Sequence, residues 1–283
     1  MTELDDITRQ IIWNRLLAIV EEQAQTLMRT AFNPIVRESG DLSAGIFDVQ
    51  GRMIAQAVTG TPGHVNTMAE SVSHFLDHYR LEDMHPQDIY VTNDPWQAAG
   101  HLNDFMLVRP CFHRQQLIGF TSCTSHLADI GGLGYGPDAS DVLDEGLYVP
   151  IIKLLDAGEL NQTFMAILKA NSRVPIEVEG DIYALIACAE CGSKRLSECL
   201  DDFDFFDIVD LSEYVIETSR RGCEQKIREL PEGIYRNSMR VDGYDTPVDL
   251  VASLAISEGR IEIDFSDSSE LSPYGINCPL NYA

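Results

Sequence analysis

The sequence predicts an α+β (mixed α/β) fold, with helices packed on sheets. Apolar residues recur at helical spacing near the start of the chain and again after residue 179. Short β-rich runs, bounded by glycine and polar turns, occupy the centre and the end. The 283 residues are 45% hydrophobic, which suffices for a sizeable core and for one large domain or two ordinary ones.

The first element is predicted to be a helix, because apolar residues keep a helical period between residues 12 and 31. Asp5 or Asp6 can cap its start, and Pro34 lies just past its end. Two short strands should then form a hairpin, and a second helix should follow a Pro-Gly turn. We predict these three elements at residues 42–47, 53–58 and 65–79.

The centre is predicted to alternate short strands with polar loops, before two helices and a final hairpin. The composition changes near Pro231, so we expect a metal-site α/β domain at 1–230 and a β-rich segment, the start of a second domain, at 231–283. The chain ends without a terminal helix or polar tail, which we expect of a cut through a larger fold. Predicted strands are 88–92, 105–108, 117–123, 248–256 and 260–265; predicted loops are 93–104 and 125–141; predicted helices are 179–200 and 211–230.

The charge balance of the chain indicates which kinds of partner it is not expected to bind. Asp and Glu number 45 against 20 Lys and Arg, a formal net charge of -25. Nucleic acids and anionic membranes both need a basic footprint, so we expect neither as a partner. No apolar run approaches the roughly 20 residues needed to cross a bilayer, and the N-terminus lacks a signal-peptide pattern. We therefore expect a cytoplasmic location, where the seven cysteines would be reduced.

Histidine and carboxylate residues cluster in the two central loops. His101 and Asp104 are three residues apart, and His126 follows after two predicted strands that can bring the loops to one end of a sheet. Two histidines and one carboxylate suit a divalent metal (Mn, Fe or Zn) and leave positions open for water and substrate. The alternative is that these polar residues only make turn and cap hydrogen bonds.

Four further residues are candidates for the site. Asp94 and Asp129 could orient a ligand histidine or act as a general base, or they could be loop caps. Arg37 could hold a carboxylate or phosphate through its guanidinium, or form a structural ion pair. His64 follows a Pro-Gly turn at a helix start, where it could line a cleft or pack.

The glycine run from Gly131 to Gly136 matches neither a dinucleotide fingerprint nor a phosphate loop. It allows the backbone to approach a ligand closely, or it forms a tight surface turn. Cys188 and Cys191 lie in a helical pattern without a second Cys pair, so we interpret them as structural thiols. Because neither of the two glycine motifs for nucleotides is present, the chain shows no recognisable nucleotide site of its own.

A series of short motifs runs in order along nearly the whole chain, and together they resemble the hydantoinase B/oxoprolinase family. That family includes B-type subunits of N-methylhydantoinase and 5-oxoprolinase and the related acetone carboxylase subunit. One departure is Leu127, where the family has a second histidine. The motifs are Arg37-Glu-Ser-Gly-Asp-Leu-Ser43, Thr92-Asn-Asp-Pro95, His101-x-x-Asp104, His126-x-Ala-Asp-Ile-Gly-Gly132, Glu145-Gly-Leu147, Pro150-x-x-Lys-Leu154, Leu230-Pro-Glu-Gly-Ile-Tyr235 and Asp264-Phe-Ser-Asp-Ser268.

The resemblance implies a metal held by His101, Asp104 and His126, and a separate A-type subunit that binds ATP. The expected activity is ATP-dependent hydrolysis of a cyclic amide, in which the partner phosphorylates a hydantoin or lactam and metal-bound water opens the ring. Asp129 or Asp94 would take the proton of the water.

In this interpretation, Arg37 and the amides of Gly131 and Gly132 would steady the phosphate. The alternatives are ATP-dependent carboxylation of a ketone, and a non-catalytic assembly subunit or fragment. The resemblance also implies that this chain is the incomplete N-terminal portion of a larger fold.

Overall fold

The computed structural model describes residues 5–98, 100–134, 136–203 and 208–282, and of Val65 it describes the backbone alone. The predicted loops 93–104 and 125–141 each contain one residue, Ala99 and Tyr135, that lies outside the described ones. Helices pack on antiparallel sheets, so the predicted α+β class is confirmed. The helices are α1 (Asp6–Thr30), α2 (Pro34–Ser39), α3 (His64–His78), α4 (Gln162–Asn171), α5 (Pro175–Asp202) and α6 (Val209–Arg228).

Seven strands form the larger sheet in the order β2-β1-β5-β4-β3-β6-β7, and the paired neighbours are antiparallel. A second sheet has three strands in the order β10-β9-β8. The strands are β1 (Leu42–Phe47), β2 (Met53–Gln56), β3 (Ile89–Thr92), β4 (Asp104–His113), β5 (Gln116–His126), β6 (Ile152–Asp156), β7 (Glu159–Leu160), β8 (Gly233–Val241), β9 (Val248–Ser257) and β10 (Arg260–Asp264).

The larger sheet lies between two helical layers, which explains why its central strands are buried on both faces. On β4, Phe105 and Leu107 pack into the core formed with α1 and α5, whereas Met106 and Val108 pack into the core formed with α3. This alternation is the period of two expected of a strand. Asp104 shares the parity of Met106, so its side chain belongs to the α3 face.

Helix α1 begins and ends where the sequence predicts. The side chain of Asp5 accepts a hydrogen bond from the Thr8 amide at 2.7 Å, which is the expected cap. The helix ends at Thr30, before Pro34. Pro34 has a second role, because with Asn33 as its cap it occupies the first turn of the short helix α2, where proline is favoured.

The two central strands are longer than predicted. Strand β4 continues through Pro110, whereas the predicted strand ends at Val108, although proline cannot donate to a ladder. The structure accommodates it because β3 pairs with β4 only at residues 106–108, so Pro110 lies beyond that neighbour. At the other ends, polar Asp104 and His126 are strand residues rather than loop residues. Helices α2 and α4 and strands β6 and β7 are additional to the elements that the pattern predicts.

The second sheet begins just after Pro231, where the sequence predicts a domain division, and the division itself stays a prediction. Past β10 the chain returns to the loop that follows β3, where the Asn281 side chain donates to the Pro95 carbonyl at 3.0 Å. The last described turn of the chain, Leu280–Tyr282, contacts α3. No helix in the described part of the chain is long and apolar enough to cross a membrane.

Candidate metal centre and cleft

His101, Asp104 and His126 come together at one end of the larger sheet. His101 Nε2 lies 3.2 Å from Asp104 Oδ2, and His126 Nδ1 lies 3.3 Å from Asp104 Oδ1. One ligand atom from each of the three residues lies within 4.8 Å of the other two. Asp104 and His126 are buried, whereas His101 is partly exposed. The structure thus unites the three residues that the loop motifs and the family resemblance pointed to.

Strand register explains this convergence. Asp104 begins β4 and His126 ends β5, and the two are direct cross-strand partners. The next residues are tied as well, since the Leu127 amide donates to the Asn103 carbonyl at 2.8 Å and the Asn103 side chain donates to the Leu127 carbonyl at 3.1 Å. Leu127 itself is buried in the core on the α1 and α5 side, away from the cleft.

A second anchor comes from the connection between α1 and α2. The side-chain amide of Asn33 donates to the His126 carbonyl at 2.8 Å. Asn33 is held by Asp181 on α5, whose carboxylate accepts from the amides of Phe32 and Asn33 at 2.7 and 3.1 Å. Asn33, Asp181 and His126 are buried, so the backbone at His126 is fixed by a connected polar network.

Two further residues join the cluster. His64, the first residue of α3, is buried with Nε2 3.0 Å from Asp104 Oδ2. Asp41 lies 3.9 Å from His64 Nε2 and 4.0 Å from His126 Nδ1, and it accepts a hydrogen bond from Thr61 Oγ1 at 2.7 Å. The sequence pattern predicts His64 only as a possible cleft residue and does not single out Asp41. The position of Asp41 right after the Gly40 helix end is the available signal.

The electrostatics of the cluster favour an ionised Asp104. Burial acts to raise its pKa, but contacts with His126 and His64 and the charge of His101 outweigh burial and hold the pKa well below the usual range. For His64, burial acts to lower the pKa, and contact with Asp104 and the charges of Asp104 and Asp41 raise it overall. An ionised carboxylate among imidazoles is the form of the site that binds a metal.

The donor set fits a divalent metal. Asp104 Oδ1 is buried and has no hydrogen-bond partner among the described residues, which is costly unless something else satisfies it. Imidazole nitrogen and carboxylate oxygen together are ligands used by Zn, Mn and Fe. His101, Asp104 and His126 would hold the ion, with Asp41 and His64 in direct reach of the same groups.

A cleft of about 740 Å³ opens over the cluster. Pro95, Trp96 and Val142 line one part of it, and the returning segment 272–282 lines another. Tyr282 covers His64 edge-on, with ring centroids 6.1 Å apart. A methyl group at Gly63 or Gly100 would come within 2.3 or 2.6 Å of the Tyr282 ring, so both glycines permit this close approach.

The remaining predicted site residues do not line the cleft. Asp94 accepts from the Trp96 amide at 2.9 Å and from the Tyr148 hydroxyl. Arg37 is half-exposed and lies 3.8 Å from Glu38. In this structure, both residues serve local contacts outside the metal cluster.

Asp129 and the glycines after it form a second loop contact with Arg173. Asp129 Oδ1 accepts from the Arg173 guanidinium at 2.6 Å, and the Gly132 carbonyl also accepts from it at 2.6 Å. Gly131 and Gly132 adopt positive φ angles of 89° and 58°, and the Gly131 amide donates to Asp129 at 3.3 Å. This loop is therefore joined to the connection between α4 and α5.

Comparison with known proteins gives the family of the chain. A family model described as hydantoinase B/oxoprolinase matches residues 5–283. The chain belongs to the hydantoinase B/oxoprolinase family. The B-type subunit of a putative D-/L-hydantoinase from Pseudomonas sp. is 28% identical over 295 residues, covering 99% of this chain and 50% of the relative.

Two solved structures share the fold. The ATP-dependent caprolactamase from Pseudomonas jessenii superposes with a TM-score of 0.87 at 25% identity, over 99% of this chain and 49% of that chain. A nucleotide-free acetone carboxylase superposes with a TM-score of 0.84 at 21% identity, over 94% of this chain and 38% of that chain. At this level of identity the superposition shows a shared fold alone. The chain spans about half the length of the curated relatives it matches.

Proposed function

We propose that this chain is the metal-holding part of an ATP-dependent cyclic-amide hydrolase that opens a hydantoin or lactam ring. The observation that carries the proposal is the buried Asp104, with His101, His126 and His64 within 3.3 Å of its carboxylate oxygens, at the floor of an open cleft. Such a cluster can bind a divalent ion on one side and leave the other side to a substrate.

The names of the relatives support the substrate class and the need for a partner. One relative is the B-type subunit of a putative hydantoinase and another is the beta subunit of a caprolactamase, and hydantoins and caprolactam are both cyclic amides. The caprolactamase is described as ATP-dependent. Since this chain carries no phosphate-loop motif, we assign ATP to an A-type partner subunit that phosphorylates the amide oxygen.

The chemistry divides between the ion and the protein. A divalent ion held by His101, Asp104 and His126 would supply Lewis-acid chemistry, activating water and stabilising developing negative charge. Asp104 stays ionised and presents its oxygens to the cleft, and His64 orients it through the contact at 3.0 Å. Asp41 lies beside His64 and His126, where it can accept a proton from a water in the cleft.

Asp94 and Asp129 remain our candidates for proton transfer, but their contacts favour a positioning role in the resting chain. Each carboxylate holds a loop that lies next to a proposed metal ligand. Each would have to leave its present hydrogen-bond partners to reach a water in the cleft. For phosphate binding, our candidates remain Arg37, Gly131 and Gly132.

The test is to produce the chain together with an A-type subunit, sought first among the neighbouring gene products, and to measure ADP release. We expect hydantoins or lactams to stimulate ATP consumption and to be recovered as ring-opened products. Stimulation only by a ketone with bicarbonate would replace the proposal by the carboxylase alternative. No stimulation by any cyclic amide or ketone would leave the non-catalytic alternative.

A further inference from the structure

The ring of Tyr282 lies between two glycines, each of which directly precedes a histidine of the cluster. Its Cζ edge is the part nearest to Gly63, and its Cδ2 edge is the part nearest to Gly100. A Cβ atom at Gly63 would overlap Cζ and the hydroxyl oxygen, and one at Gly100 would lie 2.6 Å from Cδ2. Because neither side has room for a methyl group, the ring packs directly against both backbones.

These two backbones lead into different loops of the metal centre. Gly63 precedes His64 at the start of α3. Gly100 precedes His101 in the loop between β3 and β4. Both imidazoles contact the same oxygen, Asp104 Oδ2, with His64 Nε2 at 3.0 Å and His101 Nε2 at 3.2 Å. The geometry around that oxygen therefore depends on the spacing of two loops that are distant in the sequence.

His101 is the imidazole that most needs support from outside the core. Its side chain is 36% exposed, whereas His64 and His126 are buried. Close packing can fix the two buried rings, but it restrains a half-exposed ring much less. The preceding Gly100 has a φ of 94°, in a region where glycine has more conformational freedom than other residues. A side chain that packs against Gly100 can therefore hold the start of this loop in place.

Tyr282 is itself anchored on both sides of the gap that it fills. Towards α3 its ring meets His64 edge-on, with centroids 6.1 Å apart and an angle of 76° between the rings. Towards the other loop, the neighbouring Asn281 side chain donates to the Pro95 carbonyl at 3.0 Å. The turn that carries Tyr282 is thus tied to the same loop that its ring supports.

We propose that Tyr282 is a positioning residue of the metal centre, whose ring sets the spacing of the loops that carry His64 and His101. The inference rests on the proposed function, because it takes the cluster to be a metal centre. In this role the ring makes no bond to an ion. It keeps the two imidazoles at their distances from Asp104, so that an ion finds its ligands already in place.

The experiment measures the Zn²⁺ affinity of the full chain by competition with a chromophoric chelator. We expect Tyr282→Ala to bind Zn²⁺ about 10–100-fold more weakly than the parent, the usual cost of losing a group that orients a metal ligand. Tyr282→Phe keeps the ring and should stay close to the parent. The visible spectrum of the Co²⁺-loaded chain reports the ligand geometry, and it should change in Tyr282→Ala but not in Tyr282→Phe.

Gly63→Ala tests the same contact from the other side. Gly63 has a φ of -61° and a ψ of -29°, which alanine adopts without strain, so the nearest obstacle to its added methyl is the Tyr282 ring. We expect Gly63→Ala to weaken Zn²⁺ binding by about tenfold in the parent. It should have no further effect in Tyr282→Ala, where the ring is gone. The matched control is Gly222→Ala in α6, which adds its methyl to open space and should leave the affinity unchanged.

Three results would each overturn the inference. These are an unchanged affinity in Tyr282→Ala, equal losses in Tyr282→Ala and Tyr282→Phe, and a full effect of Gly63→Ala when the ring is absent. Circular dichroism checks that each variant is folded, and Gly63→Ala in the parent still tests the contact if Tyr282→Ala is not. There, an unchanged affinity would overturn the inference as well.

Imidazole NMR signals of the metal-free chain separate this inference from the proposed function. The signals of His64 and His101 should move in Tyr282→Ala, whereas that of His113, at the far end of β4, should not. Movement of these signals in a chain that binds no Zn²⁺ refutes only the metal centre of the proposed function. Tight Zn²⁺ binding by the parent and all variants, with unmoved signals, refutes only the inference.

Discussion

At the scale of single residues, Asp104 is the group on which the cluster depends. Three imidazoles surround its buried carboxylate, and its pKa is held low by contact with them in spite of burial. Residue type and spacing offered His101, Asp104 and His126 as a candidate set, and the family motifs selected them over the alternative of loop hydrogen bonds. Residue type and spacing were insufficient for Asp41 and His64, because these residues lie 63 and 40 positions before Asp104 and join the cluster only through tertiary packing.

Replacement of a proposed metal ligand tests the cluster directly. We expect the purified parent to bind about one divalent ion per chain, and His126→Ala to lose it, since a site with three protein ligands does not hold an ion well with two. Metal content is measured by mass spectrometry after dialysis. His78→Ala, an exposed histidine at the end of α3, is the control and should keep the ion. Equal metal content in parent and His126→Ala would show that the ligand set is wrong.

Variants of His64 test whether this residue orients Asp104 rather than binding the metal ion itself. His64→Ala removes the contact at 3.0 Å that orients Asp104, so we expect metal affinity to fall by about 10–100-fold. His64→Gln keeps a donor near the same place and should recover part of the loss. Affinity is measured by competition with a chromophoric chelator, and folding is checked by circular dichroism. If both variants bind metal as tightly as the parent, His64 does not act through Asp104.

At the scale of elements, the polar ends of β4 and β5 are where sequence and structure differ most. Their residues are polar, and a pattern based on apolar alternation therefore classes them as loop. The ladder continues through them because Asp104 and His126 are direct cross-strand partners, and the Leu127 amide continues the pairing with the Asn103 carbonyl. A functional site at a strand end breaks the local hydrophobic pattern, which is why the strand boundaries differ there.

Asp88, which directly precedes β3, provides an element-scale test of stability. It is fully buried and accepts from the Ala157 and His85 amides at 2.7 and 2.9 Å, and Lys153 lies 3.0 Å away. Burial acts to raise its pKa, but these hydrogen bonds and Lys153 outweigh burial and lower the pKa overall. Its folded-state pKa is therefore below the unfolded value, so its contribution to stability is present above the unfolded pKa and is lost as the pH falls through the folded one.

We therefore expect Asp88→Asn to lower the free energy of unfolding by about 2–4 kcal/mol at pH 7. The gap between parent and variant should narrow as the pH falls below about 4, the unfolded value. Urea unfolding at several pH values measures both quantities. Asp156→Asn, at an exposed partner of the same lysine, is the control and should cost far less. A gap that stays constant down to about pH 3 would contradict the assignment.

At the scale of the whole molecule, the second sheet is strongly one-sided. Tyr235, Met239, Leu250, Ile261 and Ile263 share one face by strand register, and each is more than 40% exposed. The opposite face is mostly polar or charged. An apolar face of this kind on a three-stranded sheet is normally covered by another layer. In the described part of the chain, no such layer covers this face.

That face should bind a hydrophobic dye such as ANS in the folded chain. Met239→Lys puts a charge on this face, opposite Leu250, and should reduce the dye fluorescence, because bound dye needs continuous apolar surface. Ser238→Lys, the neighbouring position that points to the opposite face, carries the same charge change and should not reduce it. Equal effects of the two substitutions would mean that the dye binds elsewhere. Thermal unfolding of both variants checks that the fold is retained.

The sequence by itself determined the α+β class, the long helices, the absence of a phosphate-loop motif and the ordered motifs of the hydantoinase B/oxoprolinase family. These depend on local periodicity and residue type, which can be recognised along the chain. Only the tertiary structure decided that Asp41 and His64 join the cluster. It also decided that Asp94, Asp129 and Arg37 make contacts outside the cleft, and that no cation lines it among the described residues. Register, packing and burial are properties of residues far apart in the chain, so residue type alone could not separate these cases.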